Sequence, residues 1–271
     1  MYASDCRKWD TVTPGRPSSM RVVLSLEGNI GAGKSSLLRL LACAPGIRTV
    51  DEPLDTWRGG ADGRPNLLNM FYADPTRWAF TFQTAAFLSR AEGAKSALRS
   101  ALAKGSEASC RTWVLERSVQ SDKQCFATNC RKTGLFTEAE WCVYNDYHTW
   151  LVNEHEDLRI DGAVYLRAQP STCMARLRKR GRPEEASVPV DYLEQLHSRH
   201  EEWLIHEGCE VDPDSGSLEG ACVASQRSVS SDGIPVLILD CDPDFASNDE
   251  RKESMLASIR DFADSLPPRS S

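Results

Sequence analysis

Lys34 and Ser35 close the run Gly28-Asn29-Ile30-Gly31-Ala32-Gly33-Lys34-Ser35, which fits the spacing G-x-x-x-x-G-K-[ST] of a phosphate-cradling P-loop. Glycines at these positions let backbone N–H groups turn inward around a phosphate chain, and the N-terminus of a following helix, here opening on Ser36, adds its positive end. The lysine supplies a mobile cation for the outer phosphates, and the Ser35 hydroxyl can hold a magnesium ion. Two acids stand where a reaction next to such a loop needs them. Glu52 ends Ile47-Arg48-Thr49-Val50-Asp51-Glu52-Pro53, and Glu116-Arg117-Ser118 ends Arg111-Thr112-Trp113-Val114-Leu115. An acid at Glu52 can accept a proton from a substrate hydroxyl as its oxygen attacks phosphorus. One at Glu116 can hold a magnesium-bound water, and Arg117 can bridge substrate and phosphate. The alternatives are a solvated strand-end acid for Glu52 and a structural ion pair for Glu116-Arg117.

Two further groups could recognise a ligand. Gln83, Ala86 or Phe87, and Arg90 share one helical face, and a glutamine amide suits a nucleobase edge; the competing reading is a polar, solvent-facing stripe. Arg176, Arg178, Lys179, Arg180 and Arg182 form a basic cluster followed by Glu184 and Glu185. Such a cluster is either a solvated helix face or a lid that closes over phosphates. His197 and His200 lie three apart with no third ligand in view, so they are read as non-metal.

These residues need elements to hold them. The apolar run Arg21 to Glu27 reads as a buried strand, Ser36 to Cys43 as a helix ended by Pro45-Gly46, and Ile47 to Pro53 as a second strand. Asp74-Pro75 starts a helix that runs to about Leu102. Arg111 to Leu115 is a third strand, and Thr137 to Glu140 a capping box opening a helix with the stripe Trp141, Tyr144, Tyr147 or His148, and Leu151, either core or a helix-pairing interface. Ala163 to Leu166 and Ile234 to Leu239 read as the fourth and fifth strands, Asp191 to Glu207 and Glu250 to Leu266 as helices. Strands alternating with helices predict a doubly wound α/β fold of the P-loop class. Residues 1–20 read as a flexible tail and 21–271 as one domain, with Cys209 to Gly233 a Ser-, Gly- and Asp-rich surface insert or disordered loop.

Composition bounds the function. A net charge of −7 argues against a generic nucleic-acid binder, and no run of about 20 apolar residues offers a membrane span. Ten cysteines without a C-x-x-C pair point to reduced thiols, hence the cytoplasm, with the nucleus compatible. Asp5 and Asp10 argue against a mitochondrial leader.

Several stretches together resemble the deoxynucleoside kinase family, its deoxycytidine/deoxyguanosine kinase branch most of all. They are Glu27-Gly28-Asn29-Ile30, Asp51-Glu52-Pro53, Trp78 to Thr84, Glu116-Arg117-Ser118, Tyr165 to Ala168, Arg180 to Glu185 and Tyr192 to His197, within Leu24 to Phe245. The resemblance implies an α/β P-loop kinase fold with a five-stranded parallel sheet flanked by helices, and transfer of the ATP γ-phosphate, with Mg2+, to a deoxynucleoside 5′-hydroxyl, in a homodimer formed through helices. It implies that Glu52 or Glu116 is the proton acceptor, with Glu116, Ser35 and Arg117 near the metal and the 5′-hydroxyl. Gln83 then pairs with the base, Arg90 and Asp122 form a charged pair beside it, and Tyr72 and Glu185 hold the sugar 3′-hydroxyl. Trp57 and Phe71 are pocket walls, Arg176, Arg180 and Arg182 lid arginines, and Asp244 and Phe245 the loop touching the donor's base. Deoxycytidine, deoxyadenosine and deoxyguanosine are expected to be favoured over thymidine; a broad-specificity or thymidine-preferring kinase is the alternative. A nucleoside monophosphate kinase would need further cations around an acceptor phosphate, and a non-catalytic P-loop module would not need Gln83, Glu116-Arg117 and the arginines together.

Overall fold

Val22, Val23, Leu24 and Leu26 are all buried, as expected of a strand covered on both sides, and the sheet is built outward from them. The computed structural model describes residues 20–59, 63–103, 110–205, 225–267 and 269–270. The element order is β1 (Met20–Gly28), α1 (Lys34–Ala42), β2 (Ile47–Val50), α2 (Leu54–Arg58), α3 (Leu67–Ala73), α4 (Pro75–Ala103), β3 (Thr112–Glu116), α5 (Val119–Ser121), α6 (Thr128–Lys132) and α7 (Glu138–Glu154). It continues with β4 (Gly162–Arg167), α8 (Pro170–Arg180), α9 (Val190–Leu204), β5 (Ser225–Val229), β6 (Pro235–Asp240), α10 (Asp249–Ser265) and β7 (Arg269–Ser270).

The strand order is β2-β3-β1-β4-β6-β5. The expected five parallel strands are β2, β3, β1, β4 and β6, but the sheet has seven. β5 runs antiparallel along β6, from Ser225 opposite Leu239 to Val229 opposite Pro235, and the short β7 pairs with the start of β1. β5 corrects the part of the 209–233 reading that falls on Ser225–Val229, which is strand rather than disordered loop. Its Ser-Gln-Arg-Ser-Val sequence carries no apolar run because an edge strand has only one neighbour and one covered face. Asp232 then ties the following turn to α9, accepting from Trp203 Nε1 at 3.0 Å. Residues 209–224, and 1–19 of the expected tail, lie outside the described residues; Met20 already belongs to β1.

Period-2 alternation sorts β1 between two cores. Val22, Leu24 and Leu26 pack with α1, α8 and α10; Val23 packs with α4 and α7. Ser25 and Glu27 share the face of Val23 and are fully buried there.

The helices start where their caps dictate. Asp74 Oδ1 accepts from Arg77 N at 3.2 Å ahead of Pro75, and Thr137 and Glu140 form the expected capping box. α7 is apolar on two faces: Tyr144, His148 and Leu151 enter the core, whereas Val143, Tyr147 and Trp150 are exposed. Between α5 and α6 the chain makes a π-turn, Asp122–Ala127. The wider turn points both Asp122 and Phe126 at one cavity.

Candidate active site

The loops after β1, β2, β3 and β6 line a cavity of about 440 Å³ at the carboxyl end of the parallel strands, where an open α/β sheet places its ligands. On one side is the P-loop. Gly31 and Gly33 have φ of 86° and 108°; a Cβ would meet Cys173 O at 2.6 Å from the first and the Phe245 ring at 2.9 Å from the second. Only glycine fits at either position. Lys34 Nζ donates to the carbonyls of Gly28 and Asn29 at 3.0 and 2.8 Å. Burial, and then the neighbouring Arg117, push its ammonium down to about 7. Asn29 Nδ2 pins the loop to α9 through Leu193 O at 2.8 Å.

Opposite the loop, one arginine gathers the acids. Arg90 Nε donates to Asp122 Oδ2 at 2.8 Å, Nη1 to the Glu116 carbonyl at 2.9 Å and Nη2 to Glu52 Oε1 at 2.9 Å. Burial alone would raise the Glu52 carboxyl, but Arg90, Arg117 and Lys34 outweigh it and hold it below its usual value. Burial raises Asp122 against the pull of Arg90, and the same two acids raise Arg90 despite its own burial. Ser35 Oγ donates to Glu116 Oε1 at 2.9 Å. A hydroxyl and a carboxylate side by side are the hard oxygen donors magnesium takes, with water and phosphate oxygens completing its shell. The residues therefore fit that ion.

Arg117 is the one described non-glycine residue with positive φ, 67°. That conformation costs on the order of 1–3 kcal/mol, and it persists where the surroundings fix it. Here it turns the side chain inward, over the Phe126 ring at 4.6 Å and with Nε 3.5 Å from Glu52 Oε1. The basic cluster divides. Arg180 Nε donates to Glu185 Oε2 at 3.1 Å and Arg182 Nη1 to Glu185 Oε1 at 3.3 Å. Arg176 instead bridges the Ala32 carbonyl of the P-loop and the Asp242 carbonyl after β6, at 3.4 and 3.2 Å.

The deep end of the cavity is aromatic. Phe71 stacks on Phe82 with centroids 5.0 Å apart, and Trp57 meets Phe82 edge-on at 5.7 Å, its Nε1 held by Ser89 Oγ. Gln83 is buried, and its Nε2 is without a hydrogen-bond partner. A buried donor left unmatched costs about 1–3 kcal/mol, and this one belongs to a residue lining the cavity where a ligand acceptor would satisfy it. Tyr72 lies near Glu185: burial first, then Glu185, raises its phenol.

Of the residues expected from the sequence, Gly28, Asn29 and Ala32 are buried behind the loop, Phe87 packs on Tyr144 of α7, Arg178 is exposed and Glu184 pairs with Arg58; the other candidate site residues line the cavity. Phe245 does so as a buried residue packed on Gly33, and Asp244 caps its own turn through Ala246 N at 3.0 Å. The sequence reading missed Leu54, Leu68, Phe82, Phe126 and Tyr192 among the walls, and Arg39, while Lys179 of the basic cluster lines the cavity. Phe126 needs the π-turn, and the short helices α2 and α3 show too little periodicity to declare which side faces a pocket. A family model, "Deoxynucleoside kinase", matches residues 24–264. The chain is 37% identical over 254 residues to deoxycytidine kinase 2 of Gallus gallus, covering 88% of this chain and 89% of that one. It is 39% identical to the probable deoxycytidine kinase of Fowlpox virus (strain NVSL), over 90% and 88% of the two chains. To the mitochondrial deoxyguanosine kinase of Xenopus laevis it is 34% identical, over 90% of each.

Proposed function

The chain belongs to the deoxynucleoside kinase family, and from that premise we propose how its site divides the work and which nucleosides it favours. It is a phosphotransferase that moves a phosphoryl group from a nucleoside triphosphate donor to a deoxynucleoside. The acceptor's 5′-oxygen attacks the γ-phosphorus of ATP, the bond to ADP breaks, and the hydroxyl proton passes to Glu52. The loose transition state of phosphoryl transfer asks little of the base, so a carboxylate held ionised by Arg90 and Arg117 suffices. Lys34 and the P-loop amides hold the outer phosphates, while Arg117, Arg180 and Arg182 face the charge that develops on them. Mg2+, held through Ser35 and Glu116, neutralises phosphate charge when bound. Tyr72 and Glu185 take the sugar 3′-hydroxyl, and Asp244 and Phe245 border the donor's base.

The observation that carries the substrate reading is the Arg90 guanidinium, fixed between Asp122 and Glu52 beside Gln83 and small Ala86. Gln83 offers a donor and an acceptor to the base. A thymine 5-methyl would press on the Arg90–Asp122 pair, and separating a buried pair costs roughly 3–5 kcal/mol. Cytosine has only hydrogen there, and a purine's ring nitrogens can accept from Arg90. Deoxycytidine, deoxyadenosine and deoxyguanosine are therefore favoured over thymidine. Turnover of all four nucleosides with ATP and magnesium tests this, on the parent and on Arg90→Met with Asp122→Ala, which should raise thymidine relative to the rest. Thymidine as the best substrate of the parent would refute it.

The exposed face of Val143, Tyr147 and Trp150 on α7 supports a homodimer paired through α4 and α7. No described helix is long and apolar enough to cross a membrane; the cytoplasmic reading rests on the ten cysteines without a C-x-x-C pair.

A further inference from the structure

His200 lies on α9 with its side chain fully buried, and it belongs to neither the cavity wall nor a metal cluster among the described residues. Its Nδ1 is 2.6 Å from the Leu196 carbonyl. A carbonyl oxygen only accepts, so Nδ1 carries the proton. Nε2 faces Arg117 Nη1 at 3.3 Å. A guanidinium only donates, so Nε2 must present its lone pair. The two contacts together fix one neutral tautomer, and burial followed by the cation of Arg117 keeps the ring well below its ordinary pKa. The ring is stacked on Tyr165, 5.9 Å between centroids and 3° from parallel, so it cannot swing away.

We propose that His200 is a positioning residue for phosphoryl transfer: by accepting from Nη1 of Arg117 it fixes the rotation of that guanidinium, leaving Nε toward Glu52. Arg117 needs such a hold. Its backbone is strained, and Phe126 supports only the plane of the guanidinium, not its rotation within that plane. Without Nε2, the guanidinium keeps its charge but loses its bearing on Glu52 and on the phosphate. The alternative is that His200 is only a core ring stacked on Tyr165.

The inference rests on the kinase reading of the site, and its test separates the two. In the full-length protein, His200→Phe keeps the stack and removes the acceptor, whereas His200→Gln returns an amide oxygen near the place of Nε2. With ATP and deoxycytidine, His200→Phe should lower kcat about 10²-fold with deoxycytidine KM changed less than about threefold, and His200→Gln should recover most of the loss. In an Arg117→Met background, His200→Phe should cost nothing more, because the group it positions is gone. A Phe variant with parental kcat, a Gln variant no better than Phe, or an equal further loss without Arg117 would overturn the proposal. If His200→Phe does not fold, His200→Leu replaces it in the cycle. A readout independent of turnover is the ring 15N spectrum at pH 7. It should show Nδ1 protonated and Nε2 bare, with Nε2 shifting in Arg117→Met. A protonated Nε2 sinks the proposal even in an active enzyme, while a parent that turns over no deoxynucleoside strikes at the kinase reading instead.

Discussion

Glu52 is buried enough to be raised, yet three cations keep it lowered, so it stays ionised and is a weak base. Its value to the reaction is place rather than basicity. Glu52→Gln keeps shape and loses the acceptor, and kcat should fall by about 10²–10⁴ while deoxynucleoside binding changes far less. If only KM rises, Glu52 is a binding residue and Glu116 becomes the acceptor. Lys34 makes a different prediction. In the ligand-free loop its ammonium titrates at about 7, and a triphosphate beside it would restore the charge, so binding above that pH takes up a proton. ATP affinity should be full below pH 7 and fall about tenfold per unit above it. Dissociation constants from pH 7 to 9 check this; a flat profile, indistinguishable from that of the weaker Lys34→Met variant, would contradict it.

At the scale of elements, what was legible followed local rules. The parallel strands are apolar runs because both faces are covered, and Asp74-Pro75 and Thr137–Glu140 announce their helices through caps that involve only near neighbours. The P-loop could be read for the same reason: its function lies in its own backbone. β5 could not, since a polar edge strand is defined by its partner rather than its composition. Nor could the partnership of Arg117 with His200, 83 positions apart, or the aim of Phe126, which depends on a π-turn. Through its pairing with β6, β5 gives this stretch a part in the sheet. Deleting residues 225–233 removes five strand pairings from β6 and the acceptor of Trp203 Nε1. Unfolding in urea should show a loss of about 2–4 kcal/mol. An unchanged midpoint would mean that β5 adds nothing to the sheet.

Across the whole molecule the described residues bury three apolar clusters against the sheet, and the cavity lies at the carboxyl end of its parallel strands. The outer face of α7 is a separate matter. Trp150 is 59% exposed and Tyr147 51%, large rings that water leaves without compensation. A two-fold pairing through α4 and α7 would cover them. Trp150→Glu should shift sedimentation from dimer to monomer, and a parent that sediments as a monomer at micromolar concentration would exclude the pairing.

Arg180 and Arg182 rest on Glu185, Arg90 on Glu52 and Asp122, and Lys34 on its own loop. Arrival of substrate is therefore in part a metathesis: Arg180, Arg182 and Lys34 exchange contacts within the protein for contacts to the ligand, Arg90 stays fixed, and the unmatched Gln83 Nε2 gains a partner. What is gained is release of water from the walls of Trp57, Phe71, Phe82 and Phe126. Titration of deoxycytidine should give a small heat at 25 °C and a clearly negative heat-capacity change; strong heat release with a heat capacity near zero would speak against it.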